Sequence, residues 1–373
     1  MTTQLHISGA NETPIWGMPN TQRLQRLARQ AGIDDGPAPE HKRNDTAEAR
    51  RILWVDQAYA FDPLWFRHML ANDGLLLTDS NRPVLGHVDA ATAQQLDRGE
   101  IPAALTIIDM QTRPVIYNDA LRKQQQPFCM PLTPQNAISI ERESYEGAYK
   151  GITDLLTLYL WKGLAFHLTR GAAKFGLTPN MVTAVGAVLC VLAFYLFWIG
   201  EYWLGIASGF AFMVLDTVDG KLARCTITSS WWGNIFDHGI DLIHPPFWYW
   251  AWAVGLSAWG MAYDTSSWWW VLGIIWGGYI VQRLIEGEFI RQFGIHIHVW
   301  RKFDSDFRLI TARRNPNMIP LIIGLIFGRP DLGLAAVAAW TLISLIVHLV
   351  QLAQAYAAHA KGAKITSWLE QTT

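Results

Sequence analysis

The chain is poor in cysteine, and the three that occur, Cys129, Cys190 and Cys225, lie far apart with no paired ligand spacing. This excludes a disulfide framework and suits a reducing compartment. Residues 1–21 lack an apolar core between a basic start and a small-residue site, so no secretory signal peptide is expected. The net charge of −1 argues neither for nor against nucleic acid by itself, and no nucleic-acid partner is expected. Charge is scarce over long stretches beyond about residue 150, where apolar runs hold most of the 19 Trp.

The length of 373 residues suggests two or three domains, but the apolar content divides the chain more sharply than length does. Residues 1–143 read as a small soluble α/β domain. Residues 1 to about 45 are polar and irregular, with one helical candidate at Asn20–Gly32. Strands are expected at Arg51–Asp56, Gly74–Asp79, Val84–Val88 and Ala104–Met110. Helices are expected at Phe61–Ala71 and at Ala90–Arg98, the second capped by Asp89. Residues 144–176 interleave Leu155, Leu158, Leu164 and Leu168 with Lys162, His167, Arg170 and Lys174, which predicts one amphipathic helix at the membrane surface or linking the two parts.

Residues 177–360 read as a membrane domain, with 361–373 a cytoplasmic tail. Six spans are expected, at Met181–Ile199, Tyr202–Arg224, Trp231–Leu256, Trp268–Phe289, Met318–Phe327 and Leu334–Ala357. Lys162, Arg170, Lys174, Lys221, Arg224, the arginines from Arg283 to Arg314, Lys361 and Lys364 all fall on one side of that arrangement. By the positive-inside rule both termini and the acidic stretch then face the cytoplasm, in the inner membrane. The fold class expected is mainly α: a six-transmembrane-helix protein with an amphipathic surface helix and a small N-terminal α/β cytoplasmic domain.

Within the second and third spans lie Asp216, Asp219, Asp237 and Asp241, where apolar residues are the rule. Residues three or four apart share a helix face, so Asp216, Asp219 and Gly220 point together, as do Asp237 and Asp241. Each ionised carboxylate near mid-membrane costs roughly 2.5–3.5 kcal/mol, so four unpaired would cost on the order of 10 kcal/mol. Lys221 and Arg224, the basic residues in the stretch, cannot neutralise all four. Hard divalent cations such as Mg²⁺, Mn²⁺ or Ca²⁺ suit carboxylate oxygens, and two of them would hold phosphate or pyrophosphate oxygens for in-line displacement. Gly220 and Ala223 leave room for a flat group or for close helix packing, and Arg224 suits a phosphate or the interface. His238 and His244 read as packing residues.

The spacing Asp-x2-Asp-Gly-x2-Ala-Arg-x8-Gly-x3-Asp-x3-Asp resembles the signature of the CDP-alcohol phosphatidyltransferases. Asp216, Asp219, Gly220, Ala223, Arg224, Gly233, Asp237 and Asp241 satisfy every position. Chance agreement at eight positions is on the order of 10⁻¹⁰ per start site. The resemblance covers about residues 150–357 and implies transfer of a phospho-alcohol from a CDP-alcohol to an acceptor hydroxyl, releasing CMP. It further implies that Asp216, Asp219 and Asp237 hold Mg²⁺ or Mn²⁺, with two ions expected. Asp241 is a metal ligand or the base toward the acceptor, and Gly220, Ala223, Arg224 and Gly233 border the CDP. A homodimer is implied too, with Gly277-Gly278 permitting close approach between chains or within one.

Arg308, Arg313 and Arg314 are expected at the cytoplasmic rim, holding either an acceptor phosphate or lipid phosphates. CDP-diacylglycerol is the favoured donor and a lipid or polyol the acceptor; a CDP-polyol or CDP-amino alcohol donor is the alternative. A cation or proton transporter is the alternative of another class. Ile15-Trp16-Gly17-Met18, the helix from Gln22 and Asp56 followed by Phe61-Asp62-Pro63 resemble a degenerate sugar-nucleotidyltransferase domain. The glycine-rich nucleotide loop is missing, so an interaction or regulatory role is expected there.

Overall fold

The computed structural model describes residues 3–33, 51–118 and 120–370, with the side chains of Asn234, Asp237 and His238 outside that description. The irregular reading of residues 34–45 therefore falls outside the described residues. In the N-terminal part a five-stranded sheet runs in the order β1-β4-β7-β6-β8. Its strands are β1 (Thr3–Ser8), β4 (Arg51–Asp56), β6 (Leu75–Asp79), β7 (Arg82–Asp89) and β8 (Thr106–Asp109), and the short β2 (Pro14–Ile15), β3 (Met18–Pro19) and β5 (Tyr59–Phe61) lie outside it. β1–β4 and β6–β8 pair parallel, while β4–β7 and β6–β7 pair antiparallel.

Alternation along β4 sends Leu53 and Val55 to one face and Trp54 to the other. The first face is covered by α1 (Asn20–Gln30) and α2 (Pro63–Ala71) through Leu24, Leu27, Trp65 and Phe66. The second is covered by α3 (Ala90–Asp97) through Ala93 and Leu96. Asp62 caps α2 by accepting from Leu64 N at 2.9 Å, and Asp89 caps α3 by accepting from Thr92 N at 2.8 Å.

The expected single helix over 144–176 is instead three: α4 (Ala137–Gly147), α5 (Leu155–Tyr159) and α6 (Lys162–Lys174). The break has local causes. Gly151 lies so close to Arg122 O that a Cβ there would come within 2.5 Å, and Asp154 starts α5 by accepting from Thr157 N. On α6, Leu164, Leu168 and, just beyond it, Phe175 are exposed, so an apolar strip faces outward.

All six apolar segments fall on helices: α7 (Pro179–Trp198), α8 (Tyr202–Cys225), α9 (Trp231–Gly255), α10 (Thr265–Phe293), α12 (Arg314–Ile326) and α13 (Pro330–Ala360), with the short α11 (Lys302–Arg308) before α12. Among the described residues two of them, α7 and α13, are long and apolar enough to cross a membrane by length and composition, with hydropathies of 2.2 and 2.1. The others fall short for identifiable reasons. α8 and α10 end in charged turns, α9 carries Asp237, Asp241, His238 and His244 besides Pro245 and Pro246, and the 13 residues of α12 extend about 20 Å against the ~30 Å of a hydrocarbon core.

α7, α8 and α9 pack closely. A Cβ on Gly255 would meet Phe197 O at 2.1 Å, and Trp248 Nε1 donates to Cys190 O at 3.1 Å. Gly278 is spent within the chain, against Thr341 of α13, whereas Gly277 borders open space. The α/β part meets this bundle directly: Arg26 Nη1 donates to Thr226 O at 2.7 Å, and Lys221 Nζ to Ala148 O at 3.0 Å. The C-terminal segment is packed as well, with Trp368 Nε1 donating to Ser305 Oγ at 2.9 Å.

Candidate active site

α8 ends at Cys225, the chain turns through Ile227 at φ 56°, and Ser230 caps α9 by accepting from Gly233 N at 3.1 Å. From this short connection α8 and α9 run antiparallel, with Phe212 against His244 and Tyr202 stacked on Trp252. Asp216 and Asp219 come from α8 and Asp241 from α9, while the side chain of Asp237, the remaining expected metal ligand, lies outside the described residues. Pro246 removes the amide that would bond Leu242 O, and Tyr279 of α10 donates its hydroxyl there instead, at 2.9 Å. That contact braces α9 one residue beyond Asp241.

The carboxylates differ in exposure. Asp219 is 3% exposed; Thr183 of α7 donates to its Oδ2 at 2.6 Å, and its Oδ1 is buried with no hydrogen-bond partner among the described residues. The Asp216 side chain is 17% exposed and that of Asp241 42%. A buried carboxylate oxygen with no donor is costly unless a cation or a proton balances it, and carboxylate oxygens are the hard donors that Mg²⁺ or Mn²⁺ prefers. The residues present therefore fit a hard divalent ion.

Arg314, the first residue of α12, reaches into this group. Its Nη1 donates to Asp241 Oδ1 at 2.5 Å and its Nη2 to Asp216 Oδ2 at 2.7 Å. Its Nε donates to Asn315 Oδ1 at 2.8 Å, and Asn315 Nδ2 in turn donates to Asp154 Oδ2 at 3.0 Å. A polar chain thus runs from the acidic turns to the cap of α5. Lys221 points the opposite way, over the Tyr149 ring. The third local cation is thus Arg314, which sequence reasoning set apart from the acids because it follows Asp241 by 73 positions.

The small residues of the motif serve close approach. The Arg224 guanidinium lies over Gly220, where a Cβ would be 3.1 Å from Nη2, and Gly233 abuts Asn180 Oδ1 and Ser230 Oγ, each 3.0 Å from such an atom. Ala223 is half-buried one turn before the α8–α9 connection.

The three expected rim arginines do not share one place. Arg314 sits among the aspartates, whereas Arg313 pairs with Glu286, which also pairs with Arg283 Nη1 at 3.0 Å. Among the described residues Arg308 has a buried Nη1 with no hydrogen-bond partner, and Arg283 Nε and Arg313 Nε are likewise unmatched. Burial, reinforced by Arg313, holds the Arg308 guanidinium well below its ordinary value, against Asp154. Around this group His298 and His348 are buried, and neither ring nitrogen of His348 has a hydrogen-bond partner among the described residues. Ligand atoms of Glu286, His298 and His348 lie within 4.8 Å of one another. With two guanidiniums already on Glu286, that cluster is an ion-pair network with surplus positive charge.

The bundle thus sets carboxylates from α8 and α9 beside one arginine of α12. Residues 176–303 match the family model described as CDP-alcohol phosphatidyltransferase. Over this segment, about a third of the chain, the protein is similar to that family's domain. Cholinephosphotransferase 1 of Gallus gallus is 32% identical over 130 residues, 31% of this chain and 37% of the relative. Choline/ethanolaminephosphotransferase 1 of Arabidopsis thaliana is 34% identical over 124 residues, 29% of this chain and 31% of the relative. Phosphatidylinositol phosphate synthase of Mycolicibacterium smegmatis is 26% identical over 132 residues, 35% of this chain and 53% of the relative. The match thus spans about a third of the first of these curated relatives.

Proposed function

We propose that the chain transfers a phospho-alcohol group from a CDP-alcohol to an acceptor hydroxyl and releases CMP. The observation that carries this is the complete eight-residue motif on α8 and α9, with Arg314 bridging Asp216 and Asp241. Asp216, Asp219 and Asp237 would hold Mg²⁺ or Mn²⁺, with Asp241 as a further ligand or the base. When bound, two such ions supply charge stabilisation to the pyrophosphate oxygens.

The chain's own part is positioning and proton transfer. Asp241, the most exposed of the described acids, takes the proton of the acceptor hydroxyl through a carboxylate oxygen. The acceptor oxygen forms a bond to the alcohol-bearing phosphorus as the bridging P–O bond breaks, and that bridging oxygen leaves on CMP. Gly220, Ala223 and Gly233 leave space for the nucleotide, and Arg224 meets its phosphates. Direct transfer needs no covalent enzyme intermediate, since both substrates are held side by side.

We favour CDP-diacylglycerol as donor and a phosphorylated polyol as acceptor. The support is the buried surplus of positive charge at Arg283, Arg308 and Arg313, which an acceptor phosphate would balance. A second reading, a CDP-amino alcohol donor with a lipid acceptor, is favoured by the names of the choline and ethanolamine relatives. The setting proposed is a bundle of six membrane helices in the inner membrane, a homodimer, with both termini and the acids toward the cytoplasm and α6 at the lipid surface. Residues 1–143 would act as a docking unit without nucleotide chemistry.

Membranes containing the protein, offered each labelled CDP-donor in turn, test the choice of donor. The favoured reading requires labelled diacylglycerol in the phosphodiester product; label entering lipid from the amino alcohol alone overturns it.

A further inference from the structure

We propose that Arg314 is a built-in competitor for the divalent-cation site: its guanidinium and an incoming ion contend for Asp216 and Asp241, so Arg314 sets the cation affinity. This rests on the proposed metal-dependent transfer. The geometry is specific. One planar group takes one oxygen of a carboxylate on α8 and one of a carboxylate on α9, at 2.7 and 2.5 Å, while its side chain is 13% exposed. It is the fork geometry that gives arginine its strength toward paired carboxylate oxygens, and a lysine would present a single point charge in its stead.

Two further contacts show that the arrangement is held from behind. Arg314 Nε is engaged by Asn315 Oδ1, and Asn315 is fixed to Asp154 and Thr157 of α5. The guanidinium also stands over the Phe212 ring at 5.1 Å. A charge so oriented offsets the repulsion between carboxylates from facing helices, which would otherwise be costly in apolar surroundings. The same two carboxylates are the ones a hard cation would use, and positive charge beside them weakens cation binding. Arg314 is therefore a positioning residue whose removal acts on the empty and loaded forms in opposite directions: stability without cation falls, and cation affinity rises.

The experiment uses the purified full chain in lipid nanodiscs. Free Mn²⁺ is followed by electron paramagnetic resonance during titration, and melting is recorded in EDTA and in excess Mn²⁺, for the wild type, Arg314→Gln and Arg314→Lys. Arg314→Gln should bind Mn²⁺ about tenfold more tightly than wild type, a change in line with losing charge-assisted bonds. It should also melt lower in EDTA and gain more from Mn²⁺. Arg314→Lys, which keeps the charge, should fall between and provides the comparison should the Gln variant not fold. Equal or weaker Mn²⁺ binding by the variants, with binding by the wild type intact, overturns the competition alone. No Mn²⁺ binding by any of the three chains overturns the metal-dependent reading as well.

Discussion

Thr183 on α7 donates its hydroxyl to Asp219 Oδ2 on α8 at 2.6 Å, while Asp219 Oδ1 stays buried with no hydrogen-bond partner among the described residues. Thr183→Val keeps the side-chain shape and leaves a buried acid with both oxygens unsupported. The expected cost is about 1–3 kcal/mol of stability in the absence of cation, and because the carboxylate loses its orientation, activity should drop about tenfold or more. Thermal melting and CMP release, measured on the same preparation, check both.

Glu286 stands against Arg283 and Arg313. Neutralising it in Glu286→Gln leaves two largely buried guanidiniums without a counter-charge, so destabilisation by about 3–5 kcal/mol is expected. Arg313→Gln removes one of the surplus charges and should cost less. A melting comparison that ranks these two in the reverse order would contradict the charge count.

Acceptor binding gives a separable signal. If Arg308 meets an acceptor phosphate, Arg308→Ala should raise the acceptor KM about tenfold and leave the KM of the CDP-donor unchanged. Equal changes in both constants would instead point to a general loss of structure.

The pH dependence of stability follows from His298, which lies outside the spanning helices. Burial, opposed by Glu286 and reinforced by Arg313 and Arg308, holds its imidazole well below the ordinary value of 6.5. The folded chain therefore keeps this ring neutral. As pH falls below about 6.5 the unfolded chain takes up a proton that the folded chain refuses, and stability declines. Melting temperature should fall between about pH 7 and pH 5, and His298→Gln should flatten that decline. A variant with the same acid slope as wild type would exclude His298 as its source.

Much of this was legible in the sequence because its causes are local. β4 occupies the residues its apolar pattern indicates, Asp89 caps the helix it precedes, and each long apolar run beyond residue 177 is a helix, whereas the helix expected from Phe61 begins at Pro63 because Phe61 closes β5 and Asp62 is its cap. β1 escaped notice because an edge strand with one half-covered face carries a weak alternation, and its parallel pairing with β4 depends on residues nearly fifty positions away. The break in residues 144–176 did have a signal, in Gly151 and the capping Asp154, which the leucine spacing obscured. Within the site, the acids on α8 and α9 were visible from helical spacing. Arg314 was not assigned to them, since nothing local announces a contact across 73 positions that only helix packing creates.

The most direct test of the account is CMP formation by the purified chain offered CDP-diacylglycerol and a phosphorylated polyol, with Mn²⁺ or EDTA, for wild type and Asp241→Asn. The account predicts CMP only when donor, acceptor and divalent cation are all present, and its loss in Asp241→Asn with circular dichroism unchanged. Undiminished CMP formation by Asp241→Asn, or none from wild type with any CDP-alcohol and acceptor pair, would contradict it.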